Sequence, residues 1–211
     1  VEIVRAAGKL RALDLALARR TLHGTTGIGH TRWATHGRPS EINAHPHASG
    51  PVALVHNGII ENLVPLRAEL EARGVTLLSD TDTEIVAHLI HQELDAGAPS
   101  LFEAVRRALA RVTGTYAIAA MSRDEPDVIV AAKGGSPLVL GLGDGETMCG
   151  SDIPALLGRT RDMIFLEDGD IAELRAGGYR IETLRGAPAT RPVRHVDWSL
   201  AQAEKGGFKH F

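Results

Sequence analysis

Apolar positions along the chain fall into two regimes. The first half repeats them at three- and four-residue spacing, the mark of helices with one buried face. Residues 4–20 are rich in Ala, Leu and Arg and read as helix, weakened at Gly8. Residues 61–73 put Leu63, Leu66 and Leu70 on one face and stop at Gly74. Pro65 sits in the first turn of that helix, where its missing N–H does little harm. Thr81-Asp82-Thr83-Glu84 matches a capping box, Ser/Thr-x-x-Glu, and opens a run pairing Ile85 with Leu89 and Val86 with Ile90 and Leu94. Leu101, Val105 and Leu109 mark one more helix.

The second regime is short apolar runs broken by Gly, Pro and Asp, which read as strands. They cover residues 116–121, 128–132 and 138–142. Residues 163–166 and 171–174 flank Glu-Asp-Gly-Asp, a hairpin signal, and residues 179–184 alternate cleanly. Gly141-Leu142-Gly143-Asp144-Gly145 reads as another hairpin turn, and Lys133-Gly134-Gly135-Ser136 as a strand connection rather than a phosphate loop. An early exception, residues 51–55, is a buried strand running into a turn at Asn57-Gly58. Strands in runs with helices grouped elsewhere predict an α+β layered fold. Continuous apolar strands need cover on both faces, so two sheets packed together with helices outside are expected.

Composition narrows the class. With 211 residues, 44% hydrophobic and 23% charged, the chain is long enough for one sizeable core. A net charge of -3 offers no basic footprint, which argues against nucleic acid as partner. No apolar run approaches the roughly 20 residues needed to span a bilayer, so no membrane is expected. The start, Val1-Glu2-Ile3-Val4-Arg5, has no signal-peptide pattern, and a single cysteine, Cys149, fits a reducing, cytoplasmic setting.

Four clusters place polar groups where folding alone does not need them. His-Thr-Arg-Trp-Ala-Thr-His-Gly at 30–37 offers the guanidinium fork of Arg32 for a carboxylate, with Thr35 as a hydroxyl donor and Trp33 as a cover, or is simply a polar loop. Asn-Ala-His-Pro-His at 43–47 suggests a metal at first sight, but no carboxylate or cysteine lies nearby in sequence, so hydrogen-bonded loop histidines are expected and no metal. His56-Asn57-Gly58 pairs a side-chain amide with a glycine N–H, donors suited to an oxyanion; the same dipeptide also makes ordinary hairpin turns. Asp80-Thr81-Asp82-Thr83-Glu84 is a helix start that leaves a carboxylate for a ligand ammonium. Arg, Asp and amide donors together suit a free amino acid held at both ends. Cys149, late in the chain and in an expected strand, reads as a structural residue.

These clusters, with Val-His-Asn-Gly-Ile-Ile-Glu-Asn at 55–62 and Thr-Asp-Thr-Glu at 81–84, resemble in order and spacing the glutaminase domain of the glucosamine-6-phosphate synthase family, the isomerizing glutamine–fructose-6-phosphate aminotransferases. The resemblance continues through Gly-Gly-Ser-Pro-Leu at 134–138, Gly-Ser-Asp at 150–152 and Glu-Asp-Gly-Asp at 167–170 to residues 203–211, which resemble the link to the family's isomerase domain. It implies a four-layer α/β/β/α sandwich of the N-terminal-nucleophile hydrolase type, an amidotransferase domain over residues 1–202, and no cofactor. It implies Arg32, Thr35 and His36 at the substrate carboxylate, Asp82 at its ammonium, Asn57 and Gly58 as oxyanion hole, and Trp33 on a flap along the ammonia route. The expected partners are glutamine, the isomerase domain of the same longer chain, and a second copy as homodimer.

The family's nucleophile is an N-terminal cysteine, whose own α-amine can serve as its base. Here the chain opens at Val1, and Cys149 does not match that position. The polypeptide as written is therefore expected to lack its first strand and to be inactive, with an open edge or cavity near residues 30–36 and Asn57. Two alternatives stay open: another class II amidotransferase, of the phosphoribosyl pyrophosphate, glutamate synthase or asparagine synthetase type, and a non-catalytic glutamine-binding relic.

Overall fold

The computed structural model describes residues 1–32 and 37–197. In chain order its elements are α1 (Leu10–Leu17), β1 (His47–Ser49), β2 (Val52–Ile60), α2 (Leu63–Ala72), α3 (Asp82–Asp95), α4 (Leu101–Leu109), β3 (Gly114–Ser122) and β4 (Glu125–Gly134). They continue as β5 (Val139–Gly143), β6 (Glu146–Gly150), a 3-10 turn at Ile153–Ala155, β7 (Asp162–Phe165), β8 (Asp170–Arg175), β9 (Gly178–Thr183) and β10 (Val193–His195). The strands form two antiparallel sheets, ordered β1-β2-β3-β4-β8-β9 and β10-β7-β5-β6.

The two-residue period of a strand sorts side chains between two cores. On one face of the larger sheet, Leu54, Ile118, Ala120, Val130 and Ile171 pack against Leu70, Ile85, Leu89, Leu101 and Val105 of α2, α3 and α4. On the other face, Ala117, Ala131, Ala172 and Leu174 meet Leu140 and Ile164 of the smaller sheet. Alanines recur on that inter-sheet face, which lets the sheets approach closely. The far side of the smaller sheet is covered by Leu156, Leu157 and Val196, next to the 3-10 turn. The expected α+β sandwich of two facing sheets is thus the observed architecture.

Four local expectations are corrected. The Asn57-Gly58 dipeptide makes no turn: β2 runs through it to Ile60, with Asn57 opposite Ala117 and Gly58 opposite Tyr116. Continuous pairing with β3 wins over the turn propensity of the dipeptide. Residues 163–166 and 171–174 form no hairpin, because β7 belongs to the smaller sheet and β8 to the larger. Glu167-Asp168-Gly169 carries the chain between sheets, where Asp168 accepts from Gly135 N–H at 2.8 Å and pairs with Lys133. The first helix is limited to Leu10–Leu17 and buries none of its residues. At α3 the capping box is replaced by a larger network. Thr81 is the cap residue, but its hydroxyl bonds Ser79 Oγ (2.9 Å) and His47 Nε2 (3.0 Å). Glu84 reaches past it to accept from the N–H groups of Leu78 and Ser79 at 2.8 and 2.7 Å and from Ser79 Oγ at 2.6 Å.

Candidate functional site

The parity of β2 decides where its polar residues point. His56, on the helix side, is 4% exposed and bonds Thr83 Oγ1 of α3 through Nδ1 at 3.1 Å. Asn57, next along, faces the opposite way and is exposed. It opens into a hollow of about 940 Å³ between the sheets, lined by Val55, Ala117 and Ala119 of the larger sheet, Thr147 and Cys149 of β6, and the 25–31 segment. β6 is the edge strand of the smaller sheet.

Gly58 follows in the strand with φ +138°, in the region that favours glycine. A Cβ there would lie 2.1 Å from the Thr115 carbonyl oxygen and 2.9 Å from Tyr116 Cα. Only glycine lets β2 and β3 meet at this point. The strain and the close approach put a bare backbone beside the Asn57 amide.

Asp82 is the first residue of α3, on the helix side of the same strand end. Its Oδ2 accepts from Ile60 N–H at 2.9 Å, and its Oδ1 is 4.0 Å from His56 Nδ1. Arg32 is half-buried; it donates to the Gly37 carbonyl at 2.9 Å and the Arg38 carbonyl at 3.4 Å. The structure therefore brings Asn57 and Gly58 near the end of β2 close to Asp82 at the start of α3, tied by the Ile60 N–H, but of the expected set only Asn57, among the described residues, lines the hollow. Trp33, Thr35 and His36 lie outside the described residues.

Sequence reasoning missed the contacts of His30. Its Nε2 is 2.7 Å from Asn57 Oδ1, and its ring stacks on His45 with centroids 4.1 Å apart. His45 in turn meets His47 edge-on at 5.1 Å. Burial keeps this column neutral. His45 is pushed down to about 2 by burial and then by the neighbouring histidines and Arg32. His47 is lowered to about 4 by burial and by the Arg5 cation. His30 is also lowered, by burial first. The clustering of His45 and His47 was visible in the sequence; their stacking with a residue fifteen positions upstream was not. Among the described residues no group of three or more His, Cys, Asp or Glu is arranged to hold a metal ion. Cys149 packs beside the inter-sheet core, and burial pushes its thiol up to about 11.

The deciding comparison is with protein families: a model described as a glutamine amidotransferase domain matches residues 30–158. The chain belongs to the glutamine amidotransferase family. Among curated proteins, this amidotransferase domain is 52% identical over 97% of its length to the isomerizing glutamine–fructose-6-phosphate aminotransferase of Symbiobacterium thermophilum. It is 49% identical over 99% of its length to the enzyme of the same name from Escherichia coli K12. It spans about a third of the length of these relatives, 33% and 34%. Among solved structures it is similar to a glutamine phosphoribosylpyrophosphate amidotransferase from B. subtilis, with TM-score 0.60 and 27% identity over 74% of this chain and 34% of that one. A second similar structure, an allosteric regulatory enzyme of purine biosynthesis, gives TM-score 0.57 and 26% identity over 69% of this chain and 32% of that one. The fold is shared with both of these structures.

Proposed function

We propose that this domain hydrolyses the side-chain amide of glutamine to glutamate and ammonia. In a chain of the relatives' full length, that ammonia converts fructose 6-phosphate to glucosamine 6-phosphate. The observation that carries the reading is Asn57: a side-chain amide that lines an inter-sheet hollow, beside a glycine that its φ and its close approach to Thr115 require. Two donors at that point suit the oxyanion of a tetrahedral intermediate, Asn57 through Nδ2 and Gly58 through its N–H. Arg32, with Thr35 and His36, takes the α-carboxylate, and Asp82 takes the α-ammonium. Asp82 has lone pairs left after bonding Ile60 N–H, so it can accept from a ligand as well. Trp33 covers the ammonia route. The half-identity to the two named aminotransferases supports the glucosamine 6-phosphate product over the phosphoribosyl pyrophosphate type, whose solved structure is 27% identical.

The nucleophile in this reading is the family's N-terminal cysteine. Cys149 is the one cysteine in the 211 residues, and a thiol raised to about 11 is almost wholly protonated at neutral pH, so it does not substitute. Residues 1–202 form the amidotransferase domain and 203–211 begin the link to an isomerase domain, in a cytoplasmic homodimer that needs no cofactor. The test is Arg32→Gln in a chain of full length. We expect KM for L-glutamine to rise at least about tenfold, since a charge-assisted bidentate contact contributes ~1.5–3 kcal/mol. An unchanged KM would remove Arg32 from the site.

A further inference from the structure

We propose that His30 is a positioning residue for glutamine hydrolysis: its Nε2–H donates to Asn57 Oδ1 and fixes the amide with Nδ2 facing the reacting carbonyl. The inference rests on the oxyanion role proposed for Asn57 and deepens it.

An asparagine amide on a strand face has two orientations of similar energy unless a partner distinguishes oxygen from nitrogen. Asn57 is exposed on the inter-sheet side, and the only partner of its side-chain amide among the described residues is His30, 2.7 Å from Oδ1. An amide oxygen accepts and does not donate, so the ring nitrogen facing it carries the proton. The imidazole is held in place from behind by its stack on His45, 4.1 Å away. His45 is fixed in turn: its Nδ1 accepts from His56 N–H at 3.3 Å and its Nε2 is 3.3 Å from Thr83 Oγ1. A chain of contacts thus runs from the start of α3 through His45 and His30 to the amide.

The arrangement is not what folding alone selects. With Nε2 protonated and the ring neutral, Nδ1 of His30 is an acceptor; it is buried and makes no hydrogen bond of good geometry among the described residues, although the His56 backbone is close enough to favour its protonation. A buried, unsatisfied polar atom costs ~1–3 kcal/mol, and native proteins retain few of them. The 25–31 segment that carries His30 also lines the hollow. His30 therefore contributes a fixed donor next to the site at a cost to stability, and an amide held in advance needs no reorganisation when charge develops.

The test is a double-mutant cycle in a chain of full length, read as kcat and KM for ammonia release from glutamine. His30→Phe keeps the stack on His45 and removes the N–H. We expect it to lower kcat about 10- to 100-fold, part of the ~10²–10³ typical for losing an oxyanion donor outright, with KM changed less than about threefold. On an Asn57→Ala background the same substitution is expected to lower kcat less than about threefold, because there is no amide left to orient. His30→Gln, which restores an N–H donor, is expected to recover most of the loss. A similar loss from His30→Phe with or without Asn57, or no loss at all in the wild-type background, overturns the role of His30. If Asn57→Ala itself leaves kcat unchanged, the oxyanion reading fails first, and the two failures are told apart. If His30→Phe does not fold, His30→Gln alone decides: near-normal kcat supports the donor role, and a folded enzyme with a large kcat loss contradicts it.

Discussion

The buried histidine column makes the domain sensitive to mild acid. In the unfolded chain His45 and His47 titrate near 6.5; in the fold they are held down to about 2 and about 4. A lowered folded value means the unfolded state binds more protons in the window between the two, so stability is present above pH 6.5 and drains away as pH falls below it. At pH 5.0 each ring must stay neutral in the fold although it is 1.5 units below its unfolded value of 6.5. At 1.36 kcal/mol per unit that is about 2 kcal/mol per ring and about 4 kcal/mol for the pair. His30 shifts in the same sense and adds to the loss. Against a typical domain stability of ~5–15 kcal/mol, this is a large fraction. Urea unfolding followed by circular dichroism at pH 7.5 and 5.0 measures it, as a fall in the midpoint at constant slope. His47→Gln, which keeps a polar partner for Thr81 but does not titrate, is expected to halve the difference to about 2 kcal/mol. Equal stability at the two pH values, or an undiminished loss in His47→Gln, would refute the reasoning.

Further outcomes follow from single positions. Gly58→Ala combines a strained φ of +138° with a Cβ 2.1 Å from a carbonyl oxygen; strain and overpacking together predict a loss of ~2–6 kcal/mol, read as a large fall in Tm. Leu89→Ala, at 0% exposure between α3 and the larger sheet, is expected to cost ~2–5 kcal/mol by denaturant unfolding without changing the sheet signal of the folded state. The thiol of Cys149, raised to about 11 from 9.0, is expected to react with a disulfide reagent at pH 8 about 100-fold more slowly than an ordinary cysteine, measured by thionitrobenzoate release; reaction at the ordinary rate would show that the thiol is neither buried nor raised.

Much of this architecture is legible in the amino-acid pattern because periodicity reports burial directly. The four-residue spacing of Leu101, Val105 and Leu109 becomes the buried face of α4. The apolar runs around Ile118 and Val130 become central strands covered on both sides. What periodicity cannot carry is which strands share a sheet. Glu-Asp-Gly-Asp has the local chemistry of a hairpin, yet the chain crosses there from one sheet to the other because each flanking strand finds its partners far away in sequence. Asn57-Gly58 misleads for the same reason: turn chemistry is local, and nine registered pairs with β3 outweigh it. At the site, residue types pointed to Arg32, Asn57, Gly58 and Asp82. The His30–Asn57 contact joins segments 27 residues apart, and nothing in either segment announces it.

The central claim is that Asn57 stabilises charge on the amide carbonyl of glutamine. Ammonia release from glutamine by Asn57→Ala, in a chain of the relatives' full length, tests it most directly. The account predicts kcat lower by ~10²–10³ with KM nearly unchanged and normal thermal stability. A variant that turns over glutamine at the wild-type rate would contradict it.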